Sequence, residues 1–396
     1  MTDKIVVEDL YKIFGPRPEE AIEMLHQGKT KDQIMEETKH GVGVAEASFT
    51  VQEGEILVVM GLSGSGKSTL VRCINRLIEP TSGSIEVSNV DVTKLSKKEL
   101  RKFRLKHFGM VFQNFALFPH RSVIRNVEYG LEIQKIDPEE RRERAQKALE
   151  QVGLAGWGDS APQQLSGGMQ QRVGLARALA LDADVMLMDE AFSALDPLIR
   201  SDMQDELLQL QEKVQKTILF ISHDLDEALK LGDRIVLMKD GYIVQTGTAE
   251  EILTNPANEY VAKFVEDVDM TKVITARHVM LKPKEMAYYK TDGPRAALHK
   301  MKHSQMSSIF VRKDKKLYGV VTADDAARAV KEKMEALDGI IKTEIETVAP
   351  DTPAVDIIPL LAKLNYPVPV IDTDGKLVGV IIKGSLLAGL SERGTE

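Results

Sequence analysis

The stretch Gly61-Leu62-Ser63-Gly64-Ser65-Gly66-Lys67-Ser68 fits the spacing G-x-x-x-x-G-K-[ST] at every fixed position. These residue types dictate a chemistry. The glycines let successive backbone N–H groups turn inward around an anion. Lys67 can reach the outer phosphates of a nucleotide, and the Ser68 hydroxyl can bind Mg²⁺. The apolar run Ile56–Met60 before the loop reads as a buried strand, and Ser68 to about Ile78 reads as a helix. That helix start adds its own partial positive charge. The alternative is a glycine-rich turn with a chance lysine, and the matching flanks weigh against it.

Further along, Val185-Met186-Leu187-Met188-Asp189-Glu190 is an apolar strand that ends in two acids. Asp189 stands where a Mg²⁺ ligand belongs. Glu190, next in sequence, points to the opposite side of the strand and is free to orient an attacking water. Two adjacent acids at a strand end are common, so the pair gains its weight from the phosphate loop in the same chain. Ser166-Gly167-Gly168 opens a second glycine-bearing helix, and helix N-termini bind anions. One ATP has one γ-phosphate. Two phosphate-binding helix starts in one chain therefore imply that each serves a different copy.

The elements that must position these groups follow in order. Residues 4–14 read as an opening strand. Residues 17–39 read as two short helices, with Gly28 ending the first and Thr30 and Gln33 forming a capping box on the second. Gly41 to Gly54 returns to strand. A strand near Ser84–Val87, a charged helix near Ser96–Leu105 and the strand Phe108–Phe112 lead to Gln113. A helical subdomain is expected over about 114–165, rich at first in aromatics: Phe112 reads as core, while Phe115 and Phe118 lie outside the strand and read as a contact surface. The strand Thr217–Ser222 precedes His223, and a hairpin is centred on Asp240-Gly241. Alternating strands and helices predict an α/β domain with a mainly parallel sheet covered on both faces.

Length alone allows two or three domains. Composition is that of a globular chain, with 43% hydrophobic and 28% charged residues. No apolar run approaches the roughly 20 residues of a membrane span, and Met1-Thr2-Asp3-Lys4 lacks a secretory core. With the single Cys73, this points to the cytoplasm. A net charge of −8 argues against nucleic acid as partner. The charge is uneven: residues 1–266 carry −10, residues 272–333 carry +9, and residues 334–396 carry −5. A basic block beside an acidic one reads as a regulatory surface or anion site, or as solvated faces that happen to differ.

Residues 5–266 resemble the ATPase subunit of an ATP-binding-cassette (ABC) transporter. The Walker motifs stand beside the signature Leu165–Gln170, the Q-loop Gln113, the D-loop Ser193-Ala194-Leu195-Asp196 and the switch His223. The resemblance implies a P-loop NTPase cassette using ATP and Mg²⁺. It implies that Phe14, with Tyr11 as the other candidate, stacks on adenine. Gly61, Ser63, Gly64, Ser65, Gly66, Lys67, Ser68 and Thr69 would hold phosphates, and Ser68, Gln113 and Asp189 would hold Mg²⁺. Glu190, His223 and Gln113 would be catalytic. Ser166, Gly167, Gly168, Gln170 and Asp196 would serve the nucleotide of a second copy of the chain in a head-to-tail dimer. Within that family the chain resembles the ATPase of glycine betaine/proline (quaternary amine) importers. The 17–39 insertion, the phrase Phe115-Ala116-Leu117-Phe118-Pro119-His120 and the C-terminal repeat carry this narrower likeness. It implies permease subunits and a substrate-binding domain supplied by other chains. The cassette would sit peripherally on the cytoplasmic face of the membrane, with the aromatic segment docking a permease helix.

Residues 267–333 and 334–396 contain an internal repeat. Asp292-Gly293-Pro294 matches Asp351-Thr352-Pro353, and Leu317-Tyr318-Gly319-Val320-Val321 matches Leu377-Val378-Gly379-Val380-Ile381. Each copy predicts a β-α-β-β-α-like unit, together an α+β pair resembling tandem cystathionine-β-synthase (CBS) domains. That resemblance implies an adenine-nucleotide cleft with a Thr/Ser-x-x-Asp ribose contact. The first copy keeps it as Thr322-Ala323-Asp324-Asp325, and the second, Ile382-Lys383-Gly384-Ser385, has lost both groups. The basic run Arg312, Lys313, Lys315 and Lys316 instead invites a polyanion, a cyclic dinucleotide or an anionic membrane surface.

Overall fold

The computed structural model describes residues 2–391 apart from Asn114 and Asp267. Asn114 opens the expected helical subdomain and Asp267 lies in the expected boundary; both fall outside the described residues. The chain divides into two compact units, 1–266 and 267–396.

The first unit is built on a six-stranded sheet in the order Tyr242–Gly247, Arg234–Lys239, Ile56–Met60, Thr217–Ile221, Val185–Asp189, Phe108–Phe112. All neighbours are parallel except the first pair, which is the hairpin about Asp240-Gly241. Every residue of Ile56–Met60 and Thr217–Ile221 is buried, which is why these strands are unbroken apolar runs and do not alternate. Parallel pairing also sets where the strands end. Val59 pairs Ile221, Asp189 pairs Ile221, and Phe112 pairs Asp189. Four chain segments therefore leave the sheet at its carboxyl end.

The strand Phe108–Phe112 closes the other side of the sheet, and Phe112 corrects an expectation. It is 37% exposed, whereas Val111 is buried. Phe112 is the last residue of its strand, at the point where the chain leaves the sheet. The amino-terminal strands also depart from a single mainly parallel sheet. Gly41–Gln52, Asp3–Phe14, Ser82–Val87 and Val90–Asp91 form a separate antiparallel sheet. Only the two short helices of the insertion link its first two strands, which then pair as antiparallel neighbours. Those helices are Pro18–His26 and Lys31–Thr38, and the capping box between Thr30 and Gln33 is formed. They bury Ala21, Leu25 and Ile34 with Tyr11, Ile13, Val42 and Ala45 in a small core of their own.

The helix after the phosphate loop, Lys67–Ile74, stops short of Ile78. Arg76 turns to φ 50°, and the Arg104 guanidinium donates to the carbonyls of Asn75 and Arg76. A cation satisfying the last carbonyls ends the helix there. The helical subdomain packs Val123–Ile133 and Pro138–Gln151 against Gly167–Ala180. Its aromatic loop is organised by Asn126, which is fully buried. Asn126 donates to the carbonyls of Phe118, Arg121 and Ser122 and accepts from the Phe118 amide at 2.7 Å. Phe118 meets Tyr129 at a ring separation of 4.6 Å, so it is part of this packing.

In the second unit, the copies share two strands and two helices in matching order, and the first adds the short strand Ala287–Tyr288, parallel to Ser308–Lys313. Ser308–Lys313 and Lys316–Thr322 lie between Pro294–Ser304 and Ala323–Lys331; Val368–Ile371 and Leu377–Ile381 lie between Ala354–Lys363 and Lys383–Ser391. The copies exchange their lead segments. Leu281, in the lead segment of the first copy, bridges Val380 of the second; Lys342, in the lead segment of the second, bridges Val320 of the first. Ile274, Ala276 and Val279 are buried with the second copy, and Leu337 with the first. The repeated glycines explain themselves here. A Cβ on Gly319 would stand 2.5 Å from the Lys342 carbonyl oxygen, and one on Gly379 would stand 2.4 Å from the Met280 sulfur.

Replacing Asn126 by Ala strips four hydrogen bonds from a buried loop. It should cost about 2–3 kcal/mol of stability in chemical denaturation and speed proteolysis within residues 115–122.

Candidate functional site

The phosphate loop is clamped from both sides. Gly61, Gly64 and Gly66 have φ of 148°, 78° and 104°. A Cβ on Gly61 would come within 2.2 Å of the Met238 carbonyl oxygen, and one on Gly66 within 2.1 Å of that of Gly43. The Gly241 amide donates to the Ser65 carbonyl at 3.0 Å, so the hairpin turn supports the loop. Lys67 is almost fully buried and folds back on the loop, donating to the carbonyls of Gly61 at 2.7 Å and Leu62 at 3.1 Å. Burial pulls its pKa down, against the opposing pull of Glu190 and Asp189. The Ser65 hydroxyl is buried and has no hydrogen-bond partner among the described residues.

Parallel strand ends bring the remaining groups to this loop. Ser68 Oγ donates to Asp189 Oδ1 at 3.2 Å, and Arg72 lies 3.4 Å from the other oxygen. Glu190 follows the strand at φ 48°, a left-handed conformation uncommon for this residue type. That turn aims its carboxylate between two neighbours. Gln113 Nε2 donates to Glu190 Oε2 at 3.2 Å and to Ser193 Oγ at 3.1 Å, and His223 Nδ1 lies 3.5 Å from Glu190 Oε1. The hydroxyl of Ser68 and the carboxylate of Asp189 are hard oxygen donors side by side. The Gln113 amide nitrogen is engaged, which leaves its carbonyl oxygen for a cation. This sparse oxygen set suits Mg²⁺, which takes few protein ligands and completes its shell with phosphate and water.

A cleft of about 730 Å³ joins these parts. Phe14, Gly43, the phosphate loop, Ser68, Thr69, Glu190 and His223 line it. Phe14 is 44% exposed at its rim with the Lys12 ammonium 5.0 Å from its ring centre. Tyr11 is buried beneath the insertion, its hydroxyl 3.2 Å from His26 Nε2, and does not reach the cleft.

The signature residues stand elsewhere. Ser166 caps the helix Gly167–Ala180 through the Met169 amide, Gln170 donates to the Leu165 carbonyl, and none of Ser166, Gly167, Gly168 or Gln170 lines the cleft. A Cβ on Gly168 would meet Ile199 at 2.6 Å. Asp196 caps the next helix, accepting from the Ile199 amide at 3.1 Å, and also lies outside the cleft. Beside them Leu198 is 79% exposed.

Three supporting residues escaped the sequence reading. Arg177 donates to the carbonyls of Phe115 and Ala116, both of which have positive φ, and so braces the segment after Gln113. Ser193 shares Gln113 with Glu190. Glu227, four residues after His223, accepts from Ser222 Oγ at 2.5 Å and Gln204 Nε2 at 3.1 Å, fixing the turn that carries His223. Only Ser193, within the quoted D-loop, had a motif to mark it; the other two are ordinary helix residues whose partners are distant in sequence.

In the second unit, Thr322 Oγ1 donates to Asp325 Oδ2 at 2.7 Å, and Arg328 holds the other oxygen at 2.6 Å. The pair acts as a helix cap. Arg312 and Lys313 end one strand, Lys316 begins the next, and Asp314-Lys315 make the turn with φ of 49° and 69°. Lys315 and Lys316 are exposed. Lys313 is half-buried, its ammonium 4.7 Å from the ring centres of both Tyr289 and Tyr318, so the patch is less uniformly exposed than its sequence implied.

Comparison with known proteins bears on both units. Residues 44–193 match the family described as ABC transporter, and residues 265–332 and 337–392 match the CBS domain. The glycine betaine/carnitine transport ATP-binding protein GbuA of Listeria monocytogenes is 56% identical over 98% of this chain and 98% of its own length. The glycine betaine/proline betaine transport system ATP-binding protein ProV of Escherichia coli is 48% identical over 100% of this chain and 99% of its own. Among solved structures, the dimeric ATP-binding cassette MJ0796 bound to ADP and Pi is 31% identical, with a TM-score of 0.52. That alignment covers 62% of this chain and 98% of the cassette.

Burial pushes the Glu227 carboxyl above the usual range, outweighing the hydrogen bonds from Ser222 and Gln204. The native state thus holds this proton more tightly than the unfolded chain. Its contribution is full below the unfolded pKa of about 4.3 and is lost as pH rises through the native one. Glu227→Gln should flatten the fall in stability above about pH 4.5. Melting curves taken across that range check this, and an unchanged slope refutes it.

Proposed function

The chain belongs to the ABC transporter ATP-binding proteins that carry a C-terminal CBS pair, and on that premise we propose that it powers uptake of glycine betaine. Family members of this kind are ATPases coupled to transport. Glycine betaine is the compound common to the names of GbuA and ProV, each of which aligns along almost the whole chain. The observation that carries the catalytic reading is that Ser68, Glu190 and His223 line one cleft with the phosphate loop, with Asp189 hydrogen-bonded to Ser68 and Gln113 to Glu190.

In this reading Phe14 stacks on adenine, and loop amides from Gly61 to Thr69 hold the phosphates. Lys67 exchanges the carbonyls of Gly61 and Leu62 for phosphate oxygens. Ser68, Asp189 and Gln113 hold Mg²⁺, which when bound neutralises charge on the phosphates. Glu190 receives the proton of the attacking water, kept in place by Gln113, and His223 contacts the γ-phosphate. Ser166, Gly167, Gly168 and Gln170 lie outside the cleft because they serve the nucleotide of a second copy, and Asp196 caps the helix beside them. Such a head-to-tail dimer gives each of these residues a ligand. No helix of the described residues is long and apolar enough to cross a membrane, which fits a motor bound to separate permease subunits at the cytoplasmic face. The CBS pair regulates closure, through an anion at the Arg312–Lys316 hairpin or a nucleotide near Asp325.

Glu190→Gln should keep ATP binding and lower turnover by a factor of about 10² or more, as loss of a positioned base does. With its permease in vesicles, the wild type should drive ATP-dependent glycine betaine uptake. Near-normal hydrolysis by the variant sinks the role of Glu190; absent uptake, with an amino acid transported instead, sinks the substrate.

The hairpin makes a separate claim about regulation. Its attraction for an anionic surface decays over a Debye length of about 10 Å at 0.1 M salt. Neutralising Arg312, Lys315 and Lys316 should leave reconstituted transport active at low salt. An unchanged salt threshold refutes surface gating and leaves Asp325 as the position to alter.

A further inference from the structure

The insertion over residues 17–39 has so far been only packing against the amino-terminal sheet. Two of its side chains do something else. Lys31, the first residue of the helix Lys31–Thr38, donates from Nζ to the carbonyl of Gly64 in the phosphate loop at 2.8 Å. An ammonium has three N–H donors. Among the described residues Lys31 has no ion pair, although Asp32, Glu36 and Glu37 share its helix; Glu37 is taken by Lys29. Its charge is thus held at the rim of the phosphate loop with donors to spare.

Met35 lies one turn further, at i+4, on the same helix face as Lys31. Its terminal methyl would touch a Cβ on Gly41 at 3.6 Å, and Phe14 would touch it at 3.7 Å. Gly41 lines the cleft. Met35 and Phe14 therefore flank one cleft residue, and each is 44% exposed. The Phe14 atom near Gly41 is its Cβ, while its ring lies against Gly43, so an exposed thioether and an exposed aromatic stand on the two sides of Gly41, both apolar surfaces that a flat ring can meet. Neither residue lines the cleft itself; the helix stands just outside it, with a cation beside the phosphate end and an apolar group beside the aromatic end.

We propose that the Lys31–Thr38 helix is an outer wall of the nucleotide cleft, with Lys31 contacting the phosphates and Met35 the base. This rests on the cleft being the ATP site. Sequence motifs could not mark these residues, because the phosphate-loop pattern is local and the insertion approaches it from another part of the fold.

The test is titration calorimetry of the full-length chain in EDTA with ATP, ADP and adenosine, the last by competition. Lys31→Met should weaken ATP about fivefold, as loss of one charge-assisted contact does, weaken ADP less and leave adenosine unchanged. Lys31→Arg should recover most of the loss, and added salt should shrink the gap between Lys31→Met and wild type. Met35→Ser should weaken all three ligands by one common factor of about two to three. Wild-type ATP affinity in Lys31→Met overturns the phosphate contact. Equal loss of ATP and adenosine in that variant also overturns it, since a merely loosened loop would act that way. Unchanged binding in Met35→Ser overturns the base contact. A wild-type chain that binds none of the three overturns the ATP-site reading itself, an outcome distinct from these.

Discussion

Parallel hydrogen bonding in the central sheet is the constraint on which the cleft depends. Strands that run the same way end on the same side, and ligands in open α/β sheets bind beyond their carboxyl ends. Here the ends of Ile56–Met60, Val185–Asp189, Thr217–Ile221 and Phe108–Phe112 release the phosphate loop, the acidic pair, His223 and Gln113 within hydrogen-bonding reach. A shift of one residue in any pairing would turn every side chain of that strand to the other face. The strand pairings that hold this register are thus as necessary to the chemistry as the polar groups themselves.

The acidic corner shows how little material is used. Glu190 sits in a left-handed turn that a side chain adopts only when its surroundings enforce it. The enforcement is visible: its amide donates to the Ile221 carbonyl, its own carbonyl accepts from Ser193, and Gln113 and His223 flank the carboxylate. Asp189, one residue earlier, stays in the sheet and faces Ser68. Neighbouring acids thereby receive separate surroundings from one change in backbone direction.

Much of this was legible in the sequence because the signals were local. Strand, glycine loop and helix are contiguous, and so are the two acids; the capping box at Thr30 and Gln33 is a four-residue pattern and forms as read. What escaped depended on distance or on strand ends. The antiparallel pairing of Asp3–Phe14 with Gly41–Gln52 looks like any other strand spacing, because the helical connection between them is long enough for a parallel crossover as well. Phe112 has the composition of core and is exposed at the end of its strand, where the chain leaves the sheet. Arg177 and Glu227 act on segments far along the chain, and no spacing rule connects them. The repeat in the second unit was clear at its glycines, but the exchange of lead segments that gives those glycines their purpose was not.

That exchange has a consequence for how the protein is made. The first unit's sheet is complete once Tyr242–Gly247 has been synthesised, so the cassette can close while the rest of the chain is still on the ribosome. The second unit cannot. Leu281 and the apolar residues Ile274, Ala276 and Val279 must wait for partners around Val380. At ordinary synthesis rates that is on the order of ten seconds with an apolar segment uncovered. A chain broken off between the copies would leave a finished cassette trailing an exposed sticky end, the kind of surface that quality-control proteases and chaperones select. Interlocking the copies thus ties burial of the first lead segment to synthesis of the second copy.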